Sequence, residues 1–299
     1  MPEKVLITGG TGLVGTHLTK LLTEKGYEVA LLSRNPKGKK NTYKWDVQRG
    51  ELDPAALKDT SVIVHLAGAN VGEGTWNAKR KKEILDSRVN SAKLLIDSLN
   101  KLDHAVHTFV SASATGYYGD TGAKWVTEEA KPSDDFLAEV CVKWEESVEP
   151  IAAMGIRLVK LRIGVVLTNE GGALPKLKTP VKLFVGAPVG DGSQYLPWIH
   201  IKDLAKAFEY SIEETSVNGV FNAVAPSPVT NEEMTKAIGH ELKRPTWPIS
   251  VPSFALKLAM GEMSEIVLSG TKASSEKLQK AGFQFQFKTI EPALHDLLS

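Results

Sequence analysis

The chain has 299 residues, of which 42% are hydrophobic and 24% are charged, a composition typical of a globular protein with room for one large domain or two coupled ones. Lys and Arg (36) nearly balance Asp and Glu (35), so the formal charge of +1 excludes a whole-molecule field that attracts nucleic acid or anionic membranes. A lone cysteine, Cys141, excludes an intrachain disulfide and a zinc site made of cysteines, and no apolar run suits a signal peptide or a membrane span, so we expect a cytoplasmic protein.

Short β-branched segments alternate with longer amphipathic segments in the first half of the chain. This pattern predicts an α/β fold, in which a doubly wound parallel sheet carries helices on both faces. The predicted strands are Lys4 to Thr8, Glu28 to Ser33, Val62 to Leu66, Thr108 to Ser111 and Arg157 to Leu161. The predicted helices are Leu13 to Lys25, Lys79 to Asn100 and Phe136 to Ala153.

A glycine-rich segment, Thr-Gly-Gly-Thr-Gly-Leu-Val-Gly at residues 8–15, follows the first predicted strand and opens the first predicted helix. Gly9 permits a tight turn, Gly12 lets the backbone approach a pyrophosphate, and Gly15 lets the helix lie close to the strand. Glycines that merely end a strand would not be expected at all three positions, so we predict a Rossmann dinucleotide site whose helix N–H groups face the phosphates. Its predicted residues are Gly9, Thr11, Gly12, Leu13, Val14 and Gly15.

The end of the second predicted strand, Leu-Ser-Arg-Asn at residues 32–35, discriminates between cofactors. A site for NAD usually places a carboxylate here to bind the ribose 2′-hydroxyl, and none is present. Ser33 and Arg34 instead offer donors to a 2′-phosphate, and nearby lysines raise the local potential. We therefore expect NADP(H) rather than NAD(H), with the alternative that Arg34 is an ordinary surface arginine.

The second half of the chain begins with a loop-rich region rich in Gly and Pro after Arg162, and a strand-helix-strand unit then returns over residues 198–224. We predict a Rossmann domain of residues 1–165 plus 198–226, and a smaller C-terminal, substrate-side domain of residues 166–197 plus 227–299. The alternation Phe-Gln-Phe-Gln-Phe at residues 283–287 predicts a strand with one aromatic face. The basic run of residues 79–82 has mixed-sign neighbours and indicates a solvated helix face, so we expect no nucleic-acid partner.

Four further segments stand near predicted strand ends or on a predicted helix: Trp45-Asp46, His65-Leu66-Ala67-Gly68, Arg88-Val89-Asn90, and Ser-Ala-Ser-Ala-Thr-Gly-Tyr-Tyr-Gly at residues 111–119. Together with the glycine loop they resemble elements of the extended short-chain dehydrogenases/reductases, in the NAD-dependent epimerase/dehydratase superfamily. The resemblance implies that these segments add cofactor contacts from Asp46, Leu66, Ala67, Gly68, Arg88 and Ser111. It also implies Asn90 as a substrate-pocket residue.

The later part of the chain is similar to one subgroup of that superfamily, whose members are described as nucleoside-diphosphate-sugar epimerases and sometimes labelled cell-division inhibitors. The residues that carry this similarity are segments 136–141, 162–167, 171–174, 197–201 and 224–226. The segment from Arg244-Pro245 onward resembles the subgroup's terminal domain of unknown function, so the resemblance covers essentially the whole chain. A nucleotide sugar as the substrate is implied by this resemblance alone.

The superfamily's catalytic tyrosine and lysine, four residues apart on one helix face, are both missing here. Aligning the helix on Trp144 and Glu145 places Leu137 and Cys141 in the two positions. Lys143 cannot substitute, because it points to about the opposite face, where we expect it to pair with a glutamate at i,i+4.

Several side chains remain as candidates for contacts with a substrate. Ser113 and Tyr117 are the candidate catalytic residues, although Ser113 could simply satisfy backbone groups and Tyr117 could be a packing residue. Arg162, Trp198 and His200 are candidate substrate-pocket residues, with a structural hydrogen-bonding role as the alternative for His200. We expect Cys141 to be an inert core thiol.

Two hypotheses about function follow. The first is an NADP(H)-dependent oxidoreductase or nucleotide-sugar epimerase-like enzyme that works without the usual pair, with hydride chemistry supplied by the cofactor. The second is a non-catalytic NADP(H)-binding sensor or regulatory module. Leu137 and Cys141 favour the second hypothesis, and the retained pocket residues Ser113, Asn90 and Arg162 favour the first.

Overall fold

The strands and helices follow from the patterns above, and the computed structural model of the protein describes them for residues 3–299. The strands are β1 (Lys4–Thr8), β2 (Glu28–Ser33), β3 (Thr42–Asp46), β4 (Glu51–Leu52), β5 (Thr60–His65), β6 (Thr108–Ala114), β7 (Trp125–Val126), β8 (Arg157–Ile163), β9 (Val165–Leu167), β10 (Tyr195–Leu196), β11 (Trp198–His200), β12 (Gly219–Ala223), β13 (Val229–Thr230) and β14 (Lys272–Ala273). The helices are α1 (Leu13–Glu24), α2 (Ala78–Lys101), α3 (Phe136–Val148), α4 (Pro150–Ala153), α5 (Ala173–Lys182), α6 (Ile201–Glu213), α7 (Asn231–Glu241), α8 (Ser253–Met260), α9 (Glu265–Leu268), α10 (Glu276–Lys280) and α11 (Ile290–Leu298).

A central sheet of eight strands has the order β12-β8-β6-β5-β1-β2-β3-β4, and every neighbouring pair is parallel except β3 with β4. Strand β1 is buried along its whole length, as a parallel strand covered on both faces must be. Val5 and Ile7 face one core with α1 and α6, and Leu6 faces the other core with α2. Because parallel strands end at the same edge, the residues at their carboxyl ends share one crevice.

The strands and helices predicted for the first half of the chain are all present, with ends displaced by a few residues. One predicted helix is divided: α3 ends at Val148, and α4 begins at Pro150. Proline has no N–H to continue the ladder of helix hydrogen bonds, so it favours a first-turn position. Smaller two-stranded ladders pair β9 with β11 and β10 with β13, and each joins a strand of the loop-rich region to a strand that follows it.

The strand predicted at residues 283–287 is wrong, although its aromatic face is present. Phe283, Phe285 and Phe287 are buried and the intervening glutamines are exposed, but this segment pairs with no strand. The N–H groups of Gln286 and Phe287 instead donate to the two carboxylate oxygens of Asp203 on α6, at 2.9 and 2.8 Å. A side chain thus satisfies the backbone groups that a neighbouring strand would otherwise bind.

The C-terminal segment packs against both of the predicted domains. Leu278, Phe283 and Phe285 join the core formed by β1, α1 and α6, and α11 packs against α7 around Met234. The division into two domains stays a prediction. Within residues 3–299, no helix combines the length and apolarity needed to cross a bilayer.

We predict that Asp203→Asn lowers the free energy of unfolding by about 1–3 kcal/mol, because the amide nitrogen cannot accept the second backbone N–H and leaves it buried without a partner. Burial already raises the pKa of the Asp203 carboxyl, which shows how little water reaches it. Urea unfolding curves would measure the loss, with Asp103→Asn on the exposed surface as the control. Equal stability of the two variants would contradict this role of Asp203.

Candidate functional site

The glycine loop between β1 and α1 forms a tight backbone turn. Gly9 has a φ of 67°, and a Cβ there would lie 3.0 Å from the carbonyl carbon and oxygen of Leu66. A Cβ on Gly15 would lie 2.4 Å from the Gly9 carbonyl oxygen, so helix and loop touch at this point. The Gly12 N–H donates to that same oxygen at 2.9 Å, which closes the turn.

The first turn of α1 is open to an anion. Gly12 is its N-cap, no side chain caps the N–H groups of that turn, and the turn contains no acidic residue. Thr11 and Gly12 are exposed, while Leu13 and Val14 are half-buried. Free N–H groups and the positive end of the helix dipole fit a pyrophosphate at this position.

Thr8 joins the glycine loop to the segment that follows β5. Its hydroxyl oxygen accepts hydrogen bonds from the N–H groups of Leu66 at 3.0 Å and Ala67 at 3.1 Å. Gly68 follows directly, and a Cβ on it would lie 2.9 Å from Cζ of Arg88. The structure therefore brings the glycine loop, residues 66–68 and Arg88 together along the crevice.

The side chains predicted to select the cofactor lie at the end of β2. Arg34 is exposed and its side chain makes no hydrogen bond or ion pair with any described residue. The Ser33 hydroxyl oxygen accepts the Asn35 N–H at 3.2 Å. Asp46, at the end of β3, holds a local turn by accepting the N–H groups of Gln48 and Arg49.

Leu137 and Cys141 on α3 lie beneath the turn at Gly116. A Cβ on Gly116 would lie 3.3 Å from the Leu137 Cβ and 3.8 Å from the Cys141 Sγ. Burial raises the pKa of the Cys141 thiol to about 12, and the charge of Glu145 adds to the shift. The thiol therefore stays protonated at neutral pH and offers neither a nucleophile nor a general base.

A buried ion pair stands at the carboxyl ends of β6 and β8. Arg162 donates from Nε to Glu145 Oε1 at 2.7 Å and from Nη2 to Oε2 at 2.9 Å, which makes the pair bidentate. The Ser113 hydroxyl donates to the same Oε1 at 2.7 Å. Burial lowers the pKa of Arg162, but the hydrogen bonds and charge of Glu145 outweigh it and raise that pKa overall. Arg162 therefore stays charged at neutral pH.

The remaining donors of Arg162 extend this network toward β12. Nη1 donates to the Tyr118 hydroxyl oxygen at 3.0 Å and to the Glu128 carbonyl oxygen at 3.1 Å, and Tyr118 donates to Asn222 Oδ1 at 2.7 Å. Burial raises the pKa of the Tyr118 phenol to about 12. The ring of Tyr117 covers the guanidinium at 3.4 Å, and its own hydroxyl has no partner among residues 3–299.

His65 is a buried neutral histidine that supports the floor of the crevice. Its Nε2 lies 2.8 Å from the Ser91 hydroxyl oxygen, and that hydroxyl donates to the Arg88 carbonyl, so Nε2 carries the proton. Nδ1 then accepts the Trp144 indole N–H at 3.5 Å. Burial lowers the pKa of His65 to about 3, so this hydrogen bonding persists at physiological pH.

Three predicted pocket residues lie elsewhere. Asn90 is exposed on α2. Trp198 is fully buried, and its indole N–H donates to the Ser227 carbonyl at 2.9 Å. His200 is fully buried, caps α6 by accepting the Lys202 N–H, and stacks on Phe287 at 3.9 Å between ring centroids. These contacts give Trp198 and His200 packing roles, and a substrate contact from any of the three stays a prediction.

Glu145 is the functional position that sequence reasoning missed. Cys141, Trp144 and Val148 form a buried apolar stripe on α3, and Glu145 lies beside it with only 7% of its surface exposed. An acidic residue one turn after Cys141 and next to Trp144 was the available signal. Its two partners, Ser113 and Arg162, stand opposite each other in the register of β6 and β8.

Comparison with known proteins agrees with this architecture. The family model described as NAD dependent epimerase/dehydratase matches residues 5–223, and that of a domain of unknown function (DUF1731) matches residues 251–297. The chain is 38% identical over 299 residues to epimerase family protein YfhF of Bacillus subtilis, which spans 99% of this chain and 98% of that protein.

Solved structures show the same similarity. The crystal structure of human epimerase family protein SDR39U1 (isoform 2) with NADPH aligns with a TM-score of 0.89 and 33% identity over 98% of each chain. The UDP-glucose 4-epimerase of Thermus thermophilus in complex with NAD aligns with a TM-score of 0.75 over 98% of this chain and 97% of that one. At 17% identity the second similarity shows the fold alone. The predicted α/β Rossmann fold and the family resemblance are confirmed.

We predict that Glu145→Gln destabilises the protein by about 3–5 kcal/mol, because it leaves the buried Arg162 guanidinium without a counterion. Chemical unfolding would measure the change in stability. Glu146→Gln is a closely matched control, since Glu146 is the next residue on the same helix and is exposed. A loss for Glu145→Gln no larger than that of the control would show that the ion pair contributes little.

Proposed function

This chain belongs to the NAD dependent epimerase/dehydratase family, and from that premise we propose that it binds NADP(H) in the crevice and acts there on a small-molecule substrate. The observation that carries the proposal is the uncapped first turn of α1, which begins at the glycine loop and has no acidic residue. The first turn supplies N–H donors to a pyrophosphate, and the loop leaves space for it.

The preference for NADP(H) rests on the end of β2. Arg34 is exposed and unpaired among the described residues, and Ser33 stands beside it in place of the carboxylate that binds a 2′-hydroxyl. A guanidinium binds a phosphate through two parallel hydrogen bonds. The human relative SDR39U1, whose crystal structure contains NADPH, supports the same choice.

The chain's own residues provide orientation more than acid or base chemistry. A nicotinamide cofactor supplies the hydride. Ser113, Tyr118 and Arg162 are bound to one another or to Glu145, which leaves the Tyr117 hydroxyl as the one phenol of this cluster without a protein partner. We therefore assign Tyr117 the contact with the reacting oxygen of the substrate. A nucleotide sugar is the substrate class that the family membership suggests.

A second candidate function is a non-catalytic NADP(H) sensor. It is favoured by Leu137 and Cys141, which replace the tyrosine and lysine of the superfamily with a side chain that has no ionisable group and a thiol that stays protonated at neutral pH. In that case the crevice binds the cofactor and turns nothing over. The two candidates differ in whether NADPH is consumed.

We predict that Arg34→Ala weakens NADPH binding by about tenfold or more and NADH binding by less than about threefold, because only NADPH carries the 2′-phosphate. Fluorescence titration of both cofactors would measure the two dissociation constants, with Arg244→Ala as a control outside the family's dinucleotide-binding part. Equal losses for NADPH and NADH would contradict the assignment of Arg34.

For the enzyme, we predict NADPH oxidation with at least one member of a panel of nucleotide sugars, aldehydes and quinones. Tyr117→Phe should reduce that turnover by about 100-fold or more while leaving NADPH affinity unchanged, because it removes only the phenol oxygen. Tyr43→Phe on β3 is the matched control. Tight NADPH binding without oxidation of NADPH by any compound would support the sensor instead.

A further inference from the structure

Arg88 on α2 is a buried arginine at the crevice that uses only two of its five N–H donors within the described residues. Its side chain is 9% exposed, and Nη1 donates to the carbonyl oxygens of Ile84 at 2.8 Å and Ala69 at 3.1 Å. The guanidinium lies between the backbone of Gly68 and the indole of Trp144, with Cζ 4.8 Å from that ring. Nε and Nη2 have no acceptor anywhere in residues 3–299.

The unused atoms form one edge of the guanidinium. Nε and Nη2 point the same way, so their N–H groups match the two oxygens of a carboxylate. The same protein shows this edge filled at Arg162, whose Nε and Nη2 hold the two oxygens of Glu145. Arg88 presents the same geometry with no carboxylate from the described part of the chain.

A cation without a counterion is costly at this depth. Burial lowers the pKa of Arg88 to about 10, which still leaves it charged at neutral pH, and no carboxylate stands among the groups that raise that pKa. Buried charges in proteins are normally paired or hydrogen-bonded. The two fixed carbonyl contacts and the stacking on Trp144 hold the guanidinium in place without neutralising it.

We propose that the Nε and Nη2 edge of Arg88 binds a carboxylate of the substrate, so that this protein acts on a carboxylate-bearing compound. A carboxylate supplies both the missing negative charge and two coplanar acceptors, which a ribose or sugar hydroxyl does not. The pyrophosphate of the cofactor has a separate place at the first turn of α1. The inference rests on the proposed function only in placing this carboxylate beside the cofactor.

The neighbourhood of Cys141 explains why a charge is useful here. Cys141 stands where the resemblance places the superfamily's lysine, and its thiol stays protonated at neutral pH, so α3 supplies no cation to this part of the crevice. Arg88 therefore supplies positive charge from α2 where α3 no longer does. The planar, bidentate guanidinium of Arg88 thus takes the place of a lysine ammonium, which is a point charge. A guanidinium favours a planar anion.

The test compares acetate with acetamide, which have nearly the same shape and differ in charge, as probes of the full-length protein saturated with NADPH at constant ionic strength. We expect acetate to bind wild type at least about tenfold more tightly than acetamide, which corresponds to about 1.4 kcal/mol. Arg88→Met should abolish this preference, and Arg88→Lys should retain part of it, because lysine keeps the charge and loses the edge. Thermal stability as a function of probe concentration gives the dissociation constants.

Lys93→Met, an exposed position on the same helix, is the control and should bind acetate as wild type does. No preference for acetate in wild type, or the same preference in Arg88→Met, would overturn the proposal. The wild-type comparison needs no variant, so a poorly folded Arg88→Met protein does not remove the test. NADPH affinity is measured separately without either probe, so failure to bind NADPH would count against the proposed function and not against Arg88.

Discussion

The bidentate pair of Arg162 and Glu145 is the interaction on which this end of the molecule depends. It joins α3 to β8 and, through Ser113, to β6, so three separate stretches of chain meet at one carboxylate. The second arm of Arg162 continues to Tyr118 and from there to Asn222 on β12. Both charged side chains of this pair must be present. If either is removed, the other charge stays buried in surroundings of low dielectric constant without a counterion. The crevice floor is therefore a rigid polar unit rather than a set of independent catalytic groups.

The two arginines of the site divide its work. Arg162 uses all three of its nitrogens within the protein and holds the fold of the crevice, whereas Arg88 is held by two carbonyls and an indole and keeps one edge free of any partner from residues 3–299. Ser113 belongs to the first group, since its hydroxyl is already donated to Glu145. This division explains why the crevice has many polar residues although it lacks the superfamily's catalytic tyrosine and lysine. Most of those residues stabilise the fold, and few remain to meet a ligand.

The sequence predicted the parts of the protein that depend on local pattern. The spacing of Gly9, Gly12 and Gly15 between a strand and a helix identified the dinucleotide loop, and the backbone packing at Gly9 and Gly15 leaves no room for a Cβ. The charged network could not be predicted, since Ser113 and Arg162 are brought together only by the register of β6 and β8, and Glu145 reaches them only through the packing of α3. The sequence of α2 did not show which face of the helix is buried. Arg88 and Ser91 lie on the buried face, and Asn90 is exposed to solvent. At residues 283–287 the alternation gave the aromatic face correctly, but no pattern indicates that a carboxylate replaces the partner strand.

The bond between Asp203 and the segment at residues 286–287 has a consequence for how the chain reaches its folded state during synthesis. Leu278, Phe283 and Phe285 complete the core that covers β1 and α6, so that core has an open side until the ribosome has passed residue 285. Each of these side chains contributes about 1.5–3 kcal/mol on burial, and the nascent Rossmann sheet lacks all of them. Until then the growing polypeptide displays an apolar surface, and the Asp203 carboxylate on α6 lacks its two backbone donors. Residues 278–287 supply both, which couples completion of this core to the synthesis of one short segment.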